Sequence, residues 1–78
     1  MTDAGAAAQN KKIISYIVLC IKNFADKFNL SYTESYKYLE YFGGLQFILK
    51  HYEIEHTLSL EDALDDMEDI CRKNGGLL

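Results

Sequence analysis

Residues 11–28, reading KKIISYIVLCIKNFADKF, constrain this chain more than any other stretch. Ile13, Ile17, Cys20, Ile21, Phe24 and Phe28 recur at helical spacing, and Ile14, Val18 and Ala25 lie on a flank of that stripe. A surface helix carries one apolar stripe, whereas a helix apolar on two sides packs against several neighbours. The β-branched run IISYIVLCI also suits a strand. The period nevertheless continues past Lys22 and Asp26, which overruns an ordinary strand and fits a helix. A membrane span needs about 20 apolar residues, and the apolar run from Ile13 stops at Lys22, so a span is rejected. The reading is therefore a buried, central first helix.

The rest of the chain agrees with an all-α domain. It has 78 residues and no proline, and apolar residues follow helical spacing throughout. A chain of this size makes one domain and buries only about 60% of its unfolded surface, so its stability margin is narrow. Cys20 and Cys71 both fall at apolar helical positions and read as buried thiols. No set of four metal ligands has the spacing of a structural metal site. Two lone thiols and the lack of a secretion signal point to a reducing cytoplasm. Net charge is −4, unevenly spread: residues 1–50 carry +2 and residues 51–78 carry −6. That distribution argues against a nucleic-acid footprint and for a solvated or partner-facing acidic surface.

Local signals divide the chain into four helices, a compact bundle spanning residues 10–76. Residues 1–9 lack periodicity and read as a disordered tail. Asn10 can cap helix one, which ends around Phe28-Asn29-Leu30. Ser31 and Glu34 match the capping box, in which each side chain accepts from the other residue's backbone amide. Helix two then runs from about Tyr32 to Phe42, and Gly43 closes it. Helix three follows to about Tyr52, with Leu45, Ile48, Leu49 and Tyr52 on one face. Glu53 to Leu58 reads as a loop with Ile54 and Leu58 turned inward. Ser59 caps the last helix. Its stripe is Leu60, Ala63, Leu64, Met67, Ile70 and Cys71; acids lead and Arg72-Lys73 trail, as the helix dipole favours, and Gly75-Gly76 ends it.

Little in the sequence carries catalytic chemistry. Ser15, Ser31, Ser35 and Ser59 lack a nucleophile-elbow context, and no glycine loop is built to cradle phosphate. The one polar cluster is His51, Tyr52, Glu53, Glu55 and His56. Two imidazoles and their neighbouring carboxylates could hold zinc or move a proton. On a helix, however, residues five apart do not share a face, so local roles at helix ends are the simpler reading. Helix two, a glycine turn and helix three resemble a helix-turn-helix, yet Lys50 is the only fixed cation on the second helix. Cofactor and enzyme are not expected.

Binding is the better-supported class. Five of the six tyrosines lie between residues 32 and 52. Tyr32, Tyr36 and Leu39 share one face of helix two, and Tyr38 and Tyr41 look elsewhere, so some tyrosine must reach the surface, where it favours interfaces. The candidate partner surface is Tyr32, Tyr38 and Tyr41 with the acids Glu61, Asp62, Asp65 and Asp69 of the last helix, suited to a basic partner. A homodimer through helix two is a variant of the same reading.

Two stretches, IISYIVLCIKNFADKFNLSYTESYKYLEYFG and HYEIEHTLSLEDALDDMEDI, resemble a family of small bacterial helical proteins of uncharacterised function. The resemblance covers roughly Lys12 to Cys71, and HYE, HT and SLEDALDDM are its most specific part. Members of that family are often encoded beside ADP-ribosyltransferase-like proteins. The resemblance thus implies a protein partner, encoded by a neighbouring gene, with an antitoxin-like or regulatory relation to it. It offers no catalytic residues to transfer.

Overall fold

The computed structural model describes residues 4–78, with side chains from Asn10 onward. Among the described residues the chain is all helical: α1 (Ala4–Phe28), α2 (Tyr32–Tyr41), α3 (Gly44–Lys50), α4 (Tyr52–Glu55) and α5 (Leu60–Lys73). Five helices stand where four were expected. The difference arises at His51, whose backbone (φ −110°, ψ 23°) leaves the helical region and splits the expected third helix. One further helical turn, α4, then occupies part of the expected 53–58 loop.

Helix α1 is 25 residues long and starts at Ala4 rather than Asn10. The alanines before Asn10 have the highest helix propensity of any residue, so nothing local stops the helix there. The expectation of a tail over residues 1–9 falls where side chains lie outside the described residues, and residues 1–3 lie outside altogether. At the other end Asn29 adopts φ 55°, and the Leu30 amide donates to the Ala25 carbonyl at 2.8 Å, the longer bond of a Schellman-type stop. No helix is long and apolar enough to cross a membrane among the described residues.

The expected capping box forms. Glu34 N–H donates to Ser31 Oγ at 3.0 Å, and Ser31 N–H donates to Glu34 Oε1 at 2.7 Å. Ser59 Oγ likewise accepts from Asp62 N–H at 3.1 Å and starts α5. These bonds satisfy amides that have no partner inside the helix.

The core lies between the second half of α1, α2, α3 and α5. Cys20, Phe24, Leu39, Ile48, Met67 and Cys71 are fully buried there. The expectation of a buried first helix holds for that half only. Cys20, Ile21, Phe24 and Ala25 are buried, but Ile14 and Val18 are 61% and 44% exposed. The reason is length: α2, α3 and α5 hold 10, 7 and 14 residues, too short to flank all of a helix that rises about 1.5 Å per residue.

Two close approaches set how the helices meet. Ser35 is buried in α2, and its hydroxyl donates to the Ile21 carbonyl of α1 at 2.8 Å. Gly43 turns the chain with φ 86°, a conformation that favours glycine. Gly44 then packs so closely that an added Cβ would lie 2.8 Å from Leu39 Cδ2 and 3.0 Å from Cys71 Sγ. Both neighbours are fully buried and have little room to move. Gly44→Ala is therefore expected to cost about 1–3 kcal/mol by overpacking, read as a lower midpoint in urea denaturation with an unchanged slope. An unchanged midpoint would mean that α3 shifts away freely.

Candidate functional site

Helix α1 outruns the core, and its projecting half forms one wall of a groove. Ile13 stands opposite Leu49, Lys50, His51, Tyr52, Glu53 and Ile54, enclosing ≈ 490 Å³ open to solvent. The break at His51 creates the second wall. It ends α3 after Lys50 and leaves Leu49 and Ile54 55% and 65% exposed, although Ile54 was expected to face inward and Leu49 to share a face with the buried Leu45, Ile48 and Tyr52. Leu58, also expected to point inward, is exposed as well. Ile14 and Val18, one turn apart on another side of α1, are exposed as well.

Behind the groove Tyr52, Glu55 and His56 of the expected polar cluster are joined by Tyr16 of α1, which the sequence did not single out. Tyr16 O–H donates to the Glu55 backbone carbonyl at 3.1 Å, which anchors α4 to α1. The Tyr16 ring meets Tyr52 edge-on at 5.6 Å, and Tyr52 stacks on His56 at 4.4 Å. The Glu55 side chain is 5% exposed, and its Oε1 has no hydrogen-bond partner. Burial, followed by a hydrogen bond to Asp66 and its charge, pushes the Glu55 carboxyl up to about 7. Burial likewise pushes the Cys20 thiol up to about 11, partly offset by its hydrogen bond to Tyr16. Burial, with Cys20, Glu55 and Tyr52 nearby, pushes the Tyr16 phenol well above its usual range. The arrangement favours neutral forms. Cys20 is sealed from solvent, and the thiolate that would make it a nucleophile is disfavoured.

Of the expected polar site, His51, Tyr52 and Glu53 line the groove and His56 stacks on Tyr52 behind it. His51 packs on the Phe47 ring at 4.9 Å and caps α3 through its own amide, 3.0 Å from the Phe47 carbonyl. His56 Nδ1–H donates to the Tyr52 carbonyl at 2.6 Å, Tyr52 is buried, and Glu53 is exposed. Among the described residues no three His, Cys, Asp or Glu side chains converge as a metal would require.

The expected partner residues fare unevenly. Tyr41 is 82% exposed and Tyr32 is exposed. Tyr38 turns inward instead: it stacks on Phe24 at 5.7 Å, packs on Phe42 at 4.8 Å, and its hydroxyl accepts from the Leu78 amide at 3.1 Å. The buried face of α2 holds Ser35 and Leu39, so Tyr32 and Tyr36 are left outside, apart from the Leu39 with which they were grouped. Glu61, Asp62, Asp65 and Asp69 all lie on the exposed side of α5. That face is partly neutralised, because Lys27 Nζ of α1 reaches both Asp65 and Glu68 at 3.0 Å, and Arg72 pairs with Glu68. The hydrogen bonds to Glu68 and then Asp65 raise the Lys27 pKa. In the helix-turn-helix reading α3 would insert into DNA, but it is seven residues long with Leu45 and Ile48 in the core.

Compared with known proteins, residues 15–74 match a family model described as "Protein of unknown function (DUF3791)". No curated protein and no solved structure matches the chain.

Proposed function

We propose that this chain, which belongs to the DUF3791 family of proteins of unknown function, is a non-enzymatic protein-interaction module. The observation that carries this reading is the groove in which Leu49 and Ile54, both largely exposed, stand beside Ile13. Fully burying one such side chain contributes roughly 1.5–3 kcal/mol. A small domain with a narrow stability margin leaves two of them exposed in one concavity, whereas apolar residues left singly on a surface need no explanation. Tyr41 and Tyr32 on α2, with the acids of α5, offer a second contact region.

The sequence resemblance to proteins encoded beside ADP-ribosyltransferase-like neighbours makes such a neighbour the first partner to test, with this chain as its antitoxin-like or regulatory companion. Co-expressed with that neighbour, the chain is expected to co-elute with it in size-exclusion chromatography at a fixed stoichiometry. Separate elution, together with no stoichiometric protein captured in the native host, would sink the reading.

A further inference from the structure

Helix α4, which gives Tyr52, Glu53 and Ile54 to the groove, is a part that the rest of the fold holds lightly. It is one turn, set between the break at His51 and the extended backbone of Ser59 (φ −62°, ψ 153°). The amides of residues 54–58 donate to the carbonyls of His51, Tyr52, Ile54 and Glu55, so these backbone bonds close within the segment. Side chains fasten it to its surroundings. Tyr16 O–H donates to the Glu55 carbonyl at 3.1 Å, Tyr52 packs on the Tyr16 ring, and the Glu55 side chain is buried.

We propose that α4 is a proton-gated latch: it lies closed on α1 and α5 while the Glu55 carboxyl is neutral, and it swings out, taking one wall of the groove with it, when that carboxyl ionises. The latch concerns the conformation of the groove and does not rest on the interaction reading above.

A carboxylate taken out of water must be paired, or else it stays neutral or returns to solvent. Glu55 has no such pair. Tyr16 and Cys20 face it from α1 and Asp66 from α5, and none of them is a cation. Among the described residues no Lys, Arg or His forms an ion pair with it. His56, on the same segment, is bonded through Nδ1 to the Tyr52 carbonyl and stacks on the Tyr52 ring. Lys50, His51 and Glu53 line the groove, which Glu55 does not. Glu55 Oε1 has no hydrogen-bond partner, and Asp66 adds a second carboxyl whose charge repels the first. Burial and Asp66 thus hold the closed carboxyl at about 7, against 4.5 for an unperturbed glutamate. Between those values the closed turn keeps a proton that the open turn has released. Opening therefore increases as pH rises above 4.5 and levels off above about 7. The non-helical residues at either end, His51 and Ser59, are where a hinge would absorb the movement.

Native-state hydrogen exchange of the full chain tests this, with rates corrected for the intrinsic pH dependence of exchange. From about pH 5 to about pH 8 the opening constant of residues 54–58 is expected to rise at least about tenfold. At the upper pH it should also exceed that of the buried amides of α5 by at least about tenfold, which marks a local opening. Glu55→Gln should abolish the rise, and Glu53→Gln, at an exposed glutamate of the same turn, should leave it intact. Asp66→Asn, which keeps Glu55, should reduce the rise without removing it. Cys20, sealed beside Glu55, gives a second readout. Its labelling by iodoacetamide, taken relative to the buried Cys71, should climb over the same range in the native chain and stay flat in Glu55→Gln. A flat native profile, a rise that survives in Glu55→Gln, or residues 54–58 opening only together with α5 would each overturn the latch.

Discussion

Phe24→Ala is expected to unfold much of the population at 37 °C. Phe24 is fully buried where α1 meets α2, with its ring 4.7 Å from Phe28 and 5.7 Å from Tyr38. Truncating a buried phenylalanine costs about 3–5 kcal/mol, from lost transfer free energy and from the cavity left behind. Whole domains are stable by only about 5–15 kcal/mol, and small ones sit near the lower end. For a chain of this length the loss corresponds to a melting temperature lowered by at least about 12 °C. The rings of Phe28 and Tyr38 cannot simply collapse into the space, since Tyr38 is held at its far end by the Leu78 amide. Thermal melting followed by circular dichroism checks this, with Phe28→Ala, a half-buried ring, expected to cost less. A drop under about 4 °C for Phe24→Ala would mean that the core closes over the cavity and that α1 is not its organising element.

Stability is also expected to fall as pH rises from about 5 to about 8, because of Glu55. The carboxyl is buried beside Tyr16 and Cys20 of α1 and Asp66 of α5, with Tyr52 of α4 packed on Tyr16. None of these supplies a cation to Glu55 Oε1, which has no hydrogen-bond partner. Two carboxyls sharing one site retain a proton that either would lose alone. In the folded chain Glu55 titrates at about 7, against 4.5 for an unperturbed glutamate. Between those values the folded state holds a proton that the unfolded state has released. Stability from this group is thus fully present below 4.5 and lost as pH passes through about 7. The full loss is up to about 3 kcal/mol. Urea denaturation at steps of pH should show the decline in the native chain and a nearly flat profile for Glu55→Gln, whose neutral amide cannot ionise. Parallel profiles for the two proteins would place the decline elsewhere.

Glu34 makes a useful contrast. Its pKa is lowered because it accepts a hydrogen bond from the Ser31 amide. Its contribution is present above the unfolded pKa and is lost only on acidification, outside the window where Glu55 acts. The two glutamates look alike in sequence, and their environments send them in opposite directions.

How much was legible follows from the range of each interaction. The capping box at Ser31–Glu34, the Ser59 cap, the stop at Asn29 and the buried stripe of α5 all depend on residues within a few positions of one another. Such signals are written in the order of the residues. The two-sided apolarity of α1 was legible as well, but its meaning was not. Apolar residues on a second side can denote a buried helix or a face awaiting a partner, and the residues are the same in both cases. Leu49, Ile54 and Tyr38 were misplaced for a related reason. Helical spacing groups residues on a face without saying which face is covered: α2 buries Ser35 and Leu39, and the break at His51 puts Ile54 in a helical turn where a loop was expected.

The sequence by itself determined an all-helical chain and the caps that start α2 and α5, because backbone hydrogen bonding and side-chain periodicity close over short separations. Only the tertiary structure decided which half of α1 is covered, and that Tyr16 meets the Glu55 carbonyl 39 residues away. It alone set the groove between α1 and the break at His51. Those outcomes depend on helix lengths and on the angles at which helices pack. No local pattern encodes them, since each one exists only once distant segments have been brought together.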